Sequence, residues 1–148
     1  MRGLVSDVER FRIHNGPGIR TLVFMKGCPL RCLWCSSPHT QSVFPEISPD
    51  AAHGQRCGRC IDACAPRAIA VLRTGRMKIH GTPCASCEHC IETCPNRSFE
   101  LVGRYMTVDE LLSEVKTTSH CLRRSNGGVT AGDREPTVQY EFVTTLNR

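Results

Sequence analysis

The sequence predicts an α/β fold interrupted by a cysteine-rich insert, and three observations carry that prediction. The β-branched and aromatic run Thr21-Leu22-Val23-Phe24-Met25 reads as a buried strand, entered through the turn signal Asn15-Gly-Pro-Gly and left through Lys26-Gly27. Three thiols follow at once in Cys28-Pro-Leu-Arg-Cys32-Leu-Trp-Cys35, so this loop stands at the carboxyl end of a strand. Parallel α/β architectures build their active sites from loops at that end. Past Val102 the chain returns to ordinary helical patterning, with Thr107-Val-Asp-Glu110 as a capping box and Val108, Leu111, Leu112 and Val115 on one face.

Composition bounds the chemistry. At 148 residues the length prior is one domain with a small insert. Arg2, Asp7, Glu9, Arg10 and Arg12 break any secretory leader, so a cytoplasmic location is expected. In a reducing compartment 11 cysteines point to metal rather than disulfides, and an odd count fits a closed disulfide framework poorly. No stretch is long and apolar enough to span a bilayer, so no membrane partner is expected. The net charge of +5 is spread over many segments without a basic stripe interleaved with aromatics, and nucleic acid is not an expected partner either.

Taken in order, the first chemical element is the loop Cys28–Cys35. Three soft sulfur ligands select zinc, copper(I) or an iron–sulfur centre. Three protein ligands leave one coordination position open, the mark of a site that does chemistry rather than hold structure. Residues from about Ser36 to Gln55 read as a linker or loop. Two related segments follow: Cys57-Gly-Arg-Cys60-Ile-Asp-Ala-Cys64, and Cys84-Ala-Ser-Cys87-Glu-His-Cys90-Ile-Glu-Thr-Cys94-Pro95. Between them Ala68–Leu72 and Met77–Ile79 flank Thr74-Gly75-Arg76 as a small hairpin.

The second copy has the bacterial ferredoxin spacing, in which the fourth cysteine ligates the other cluster of a pair. That crossing assigns Cys84, Cys87, Cys90 and Cys64 to one cluster and Cys57, Cys60 and Cys94 to the other. Gly54 stands where the latter's fourth cysteine belongs. His53 is adjacent, although a lone neighbouring histidine is more often a surface residue, and a three-iron cluster, a labile one or none are the alternatives. Zinc knuckles at Cys57/Cys60 and Cys84/Cys87 are the competing reading, but they leave Cys64, Cys90 and Cys94 without a role.

After the capped helix, expected to end near Thr117, Ser125-Asn-Gly-Gly-Val-Thr130 reads as a short strand led in by glycines. Ala131–Pro136 reads as a loop at its end, and residues from Thr137 as a closing helix. Cys121 lies outside every motif and is expected to be a small buried hydrophobe.

These blocks together resemble the activating enzymes of glycyl radical enzymes, pyruvate formate-lyase activating enzyme-like members of the radical S-adenosylmethionine (SAM) superfamily, in the subgroup with a ferredoxin-like two-cluster insert. The resemblance runs from Asn15-Gly-Pro-Gly-Ile-Arg20 through the three-cysteine loop and the insert to Met106-Thr-Val-Asp-Glu-Leu-Leu112 and Gly127-Gly-Val-Thr130. It implies the amino-terminal part of a partial (β/α) radical SAM barrel at 1–50 and 101–148, with an α+β bacterial-ferredoxin-like domain inserted at 51–100. Cys28, Cys32 and Cys35 would hold a [4Fe–4S] cluster bound with SAM, while Trp34, Cys35, Ser36 and Glu135 would lie at the SAM site. The insert would carry one or two further iron–sulfur clusters. The implied oxidoreductase reaction is reductive cleavage of SAM to a 5′-deoxyadenosyl radical, which installs a glycyl radical on a partner enzyme under anaerobic conditions. A flavodoxin or ferredoxin-type protein would donate the electron. The family's Asp before Gly-Pro-Gly is here Asn15, and its Ser-Gly-Gly-Glu-Pro is here Gly132-Asp133-Arg134-Glu135-Pro136, which brings bulk and charge to the SAM amino group's place. Family members are also longer, so the chain reads as truncated at its carboxyl end. The alternative function is a non-catalytic iron–sulfur electron-transfer module.

Overall fold

The computed structural model describes residues 1–49, 57–81, 83–132 and 135–147. In chain order the elements are β1 (Arg2–Arg12), β2 (Arg20–Met25), β3 (Glu46–Pro49), α1 (Arg59–Asp62), β4 (Ile69–Val71), β5 (Met77–Ile79), α2 (His89–Thr93), β6 (Phe99–Val102), β7 (Arg104–Thr107), α3 (Val108–Lys116), α4 (Ser119–Arg124), β8 (Gly128–Gly132) and α5 (Tyr140–Leu146). Short 3-10 turns stand at Pro38–Thr40 and Pro136–Gln139. The chain divides into two units, residues 1–44 with 103–148, and residues 45–102.

The first unit is a four-stranded sheet in the order β7-β1-β2-β8. The β-branched run predicted as a strand is β2, and Thr21 to Met25 are all buried. β8 pairs with it in parallel, from Arg20 opposite Gly128 to Phe24 opposite Gly132. The other two pairings, β1 with β2 and β1 with β7, are antiparallel. The described sheet is therefore mixed rather than the parallel sheet that the strand–helix pattern implies, because the charge-rich β1 and the short β7 complete it. Val5, Val23, Met25, Met106, Leu111, Phe142 and Leu146 form its core.

Helix α3 forms where the sequence placed it. Thr107 Oγ1 accepts from the Glu110 amide and the Glu110 carboxylate accepts from the Thr107 amide, closing the capping box. Leu111 and Val115 are its buried face, at the i, i+4 spacing that puts two side chains on one side of a helix. Cys121, expected to be buried, is half-buried on α4.

The second unit holds two small antiparallel pairs, β4 with β5 and β3 with β6. The first is the predicted hairpin. The second corrects the reading of Ser36–Gln55 as a linker: Glu46–Pro49 is a strand, paired with Phe99–Val102. Its core is small and partly made of thiols, with Ile47, Cys60, Ile69, Cys90 and Phe99 buried together.

Candidate functional site

Two blocks that frame β2 fix the turn before it. Gly18 adopts φ +68°, and a Cβ there would lie 2.3 Å from the Ser125 carbonyl oxygen. A Cβ on Gly127 would lie 1.7 Å from the Ile19 carbonyl oxygen, so only glycine lets these two loops pass. Arg20 then ties them: its Nε donates to Thr130 Oγ1 (2.6 Å) and its Nη2 to the Val129 carbonyl (2.8 Å). Thr130 Oγ1 in turn donates to the Asn15 carbonyl (3.3 Å). The motifs Asn15–Arg20 and Gly127–Thr130 are thus two halves of one latch.

At the other end of β2 the three-cysteine loop begins. Its base is closed by the turn Pro38–Thr40: the amides of Gly27 and Cys28 donate to the Thr40 carbonyl (2.8 and 3.3 Å). Lys26, only 2% exposed, donates from Nζ to the His39 carbonyl (2.6 Å). Gln139 holds the strand behind, donating to the carbonyls of Leu4 and Lys26 and accepting from the Leu4 amide. These clamps gave no motif signal, because a buried lysine and a glutamine bonded to backbone look like surface residues in a string of letters.

Above this base lies an open cavity of about 370 Å³, within the range of small-molecule sites. Its lining brings together Cys28, Cys32, Cys35, Trp34, Ser36 and Glu135, with Leu30, Thr40 and Pro136. All the loop residues singled out from the sequence therefore meet Glu135 across one space. Trp34 is 84% exposed, which sets aside simple packing as its role. The Glu135 carboxylate also accepts from the amide and hydroxyl of Thr137, capping the turn Pro136–Gln139. Asp133 and Arg134 lie outside the described residues.

In the second unit the two cysteine segments repeat in three dimensions. Cys64 and Cys94 each donate their amide to the isoleucine three residues before them, and each thiol accepts an amide four residues on, from Ala68 (3.2 Å) and Ser98 (3.3 Å). Gly58 and Glu88, then Arg67 and Arg97, occupy matching positive-φ positions. Two cavities result. One is lined by Cys84, Cys87, Cys90 and Cys64, and the other by Cys57, Cys60 and Cys94. This is the grouping that the crossing rule assigned. Both are narrow, about 20 and 40 Å³ against 370 Å³ at the loop. His53 and Gly54 lie outside the described residues.

The electrostatics differ among these thiols. Burial pushes Cys60 and Cys90 above the ordinary thiol value. Burial acts upward on Cys94 too, but hydrogen bonds from Ser98 and from the Asn96 and Arg97 amides outweigh it and bring Cys94 down. Among the described residues no three His, Cys, Asp or Glu side chains converge on a single-ion position. The thiols line two cavities, with Cys57 and Cys60 in one and Cys84 and Cys87 in the other.

The family described as a 4Fe-4S single cluster domain matches residues 14–71. The isethionate sulfite-lyase activating enzyme of Oleidesulfovibrio alaskensis is 37% identical over 150 residues, covering 99% of this chain and 48% of that protein. The (2S)-3-sulfopropanediol dehydratase activating enzyme of Klebsiella oxytoca is 35% identical, covering 97% and 47%. The 4-hydroxyphenylacetate decarboxylase activating enzyme of Clostridioides difficile is 37% identical, covering 97% and 46%. The resemblance carried by the motifs thus extends along almost the whole chain, and its homologues are activating enzymes of glycyl radical enzymes. The chain spans about half the length of the curated relatives it matches.

Proposed function

We propose that this chain is part of a radical SAM activase that installs a glycyl radical on a partner enzyme. The observation that carries the reading is the open cavity in which Cys28, Cys32 and Cys35 meet Trp34, Ser36 and Glu135 at the carboxyl end of β2. In this reading the first unit is part of a radical SAM barrel and the second a ferredoxin-like insert, both in a cytoplasmic protein served by a flavodoxin or ferredoxin-type donor. Cys28, Cys32 and Cys35 would hold a [4Fe–4S] cluster and leave one iron for the amino and carboxylate groups of SAM. The reduced cluster would supply one electron to the SAM sulfonium, breaking a carbon–sulfur bond to leave methionine and a 5′-deoxyadenosyl radical able to take hydrogen from a glycine of the partner.

The chain's own residues supply position. The bonds of Gly27, Cys28 and Lys26 to the turn Pro38–Thr40 fix where the loop leaves the sheet, so its starting point is set before any ligand arrives. Trp34, exposed in the cavity, offers a face on which a nucleoside base can stack. Glu135 places a carboxylate on the same cavity, suited to the SAM amino group. In the insert, Cys64, Cys84, Cys87 and Cys90 line one cavity and would hold a second [4Fe–4S] cluster suited to electron relay. The two pairs that a zinc site would join, Cys57/Cys60 and Cys84/Cys87, line different cavities, which supports clusters over zinc knuckles.

The test is anaerobic reconstitution with iron and sulfide, reduction, and assay for 5′-deoxyadenosine. Its formation in wild type and loss in Cys32→Ala support the activase. Bound iron with no 5′-deoxyadenosine assigns the chain to electron transfer instead, and stoichiometric zinc without iron overturns both readings.

A further inference from the structure

The two cysteine cavities of the second unit are not equivalent, and the geometry points to a three-iron, four-sulfide cluster held by Cys57, Cys60 and Cys94. The inference rests on reading the insert as an iron–sulfur domain, and goes beyond it by giving the second cavity a different occupant from the first. The repeat is the starting point. One spacing relates Cys57, Cys60 and Cys64 to Cys87, Cys90 and Cys94, and the matched hydrogen bonds and positive-φ residues show that both segments keep the same backbone path. Carried upstream, that register pairs Cys84 with Gly54. The first cavity accordingly has four thiols and the second three.

The rest of the second cavity's described lining offers no anionic replacement. Val71, Met77 and Phe99 are apolar, while Asn96 and Ser98 are neutral. The Met77 thioether is the nearest soft atom, 3.9 Å from Cys60 Sγ, but it carries no charge. A cubane of four irons needs a ligand at every iron, and four thiolates supply that in the first cavity. Three thiolates match three irons, one each. The second cavity differs from the loop Cys28–Cys35, which also offers three thiols: Trp34, Ser36 and Glu135 share that loop's cavity and suit an outside ligand, whereas the second cavity's described lining brings only Asn96 and Ser98 beside apolar side chains. Ligand count and the chemistry of the described lining therefore point to the three-iron form.

The experiment uses the full chain carrying Cys28→Ala, Cys32→Ala and Cys35→Ala, because the loop's own cluster can lose its open iron to the same form. This protein is reconstituted anaerobically with iron and sulfide, oxidised, and examined by electron paramagnetic resonance with iron counting. We expect the spin-half signal of an oxidised three-iron cluster at about one per chain, with about seven irons. Cys57→Ser should abolish it while keeping the reduced four-iron signal of the first cavity, and Gly54→Cys should abolish it with a gain of about one iron. A four-iron signal alone in the reference protein, or a three-iron signal that survives Cys57→Ser, overturns the inference and leaves the activase reading standing. Should Cys57→Ser lose both signals through misfolding, Gly54→Cys decides: a three-iron signal that persists there overturns the inference.

Discussion

Gly127 is the residue with least freedom in this protein. An added methyl would enter the Ile19 carbonyl at 1.7 Å, and the nearest atoms are all Ile19 backbone, which cannot swing aside as a side chain can. Gly127→Ala is expected to destabilise the first unit by about 1–3 kcal/mol, read as a lowered urea midpoint with unchanged slope. Trp34 sits at the opposite extreme, exposed and packed on nothing that needs it. Trp34→Ala should leave the unfolding midpoint in place yet weaken binding of SAM by about 1–3 kcal/mol, the scale of one base–aromatic stack, measured by titration of the reconstituted protein. The sequence disclosed both residues through their motifs but not their opposite burdens. Which glycine passes a carbonyl, and which aromatic faces an opening, depends on partners a hundred residues away.

Among the elements, α3 was the most legible, because its capping box and apolar face are local signals that tertiary structure had no cause to override. Thr107→Ala should cost about 1 kcal/mol, seen as a lower melting temperature. The Thr107 amide and hydroxyl, bonded to the Glu110 carboxylate, hold that group below the ordinary carboxylate range. A depressed folded-state value means the cap stabilises above the unfolded-state value and is lost as pH falls through the folded one. Glu110→Gln should therefore narrow its stability difference from wild type on acidification, checked by melting curves between neutral and acid pH. β1, β3 and β7 were illegible for the converse reason. β1 reads Arg-Gly-Leu-Val-Ser-Asp-Val-Glu-Arg-Phe-Arg, with its outer half charged and exposed, and only pairing with β2 and β7 makes it a strand. β3 ends at Pro49 and has no run to detect.

At the scale of the molecule, the two units carry different kinds of core. The first is aliphatic and aromatic, while the second buries Cys60 and Cys90 among only a few apolar side chains. If the second unit binds clusters as proposed, that binding is folding free energy for the unit. Removing iron with a chelator under anaerobic conditions should strip amide protection from residues 57–81 and 83–102 and leave β2 and α3 protected, measured by hydrogen exchange. The grouping of thiols was legible from spacing, and no cavity had to be seen to predict it. The clamp of Lys26 and Gln139 was not, since both act through backbone carbonyls that have no letter in the sequence.

Each narrow cavity takes a thiol from the other segment: Cys64 stands with Cys84, Cys87 and Cys90, and Cys94 with Cys57 and Cys60. The halves of this duplication are therefore interlocked like links of a chain. Excising either one would take thiols from both chambers, whereas the loss of a single thiol is confined to one. Such wiring forbids the duplication to shrink back to one copy, yet lets the two chambers drift apart one residue at a time.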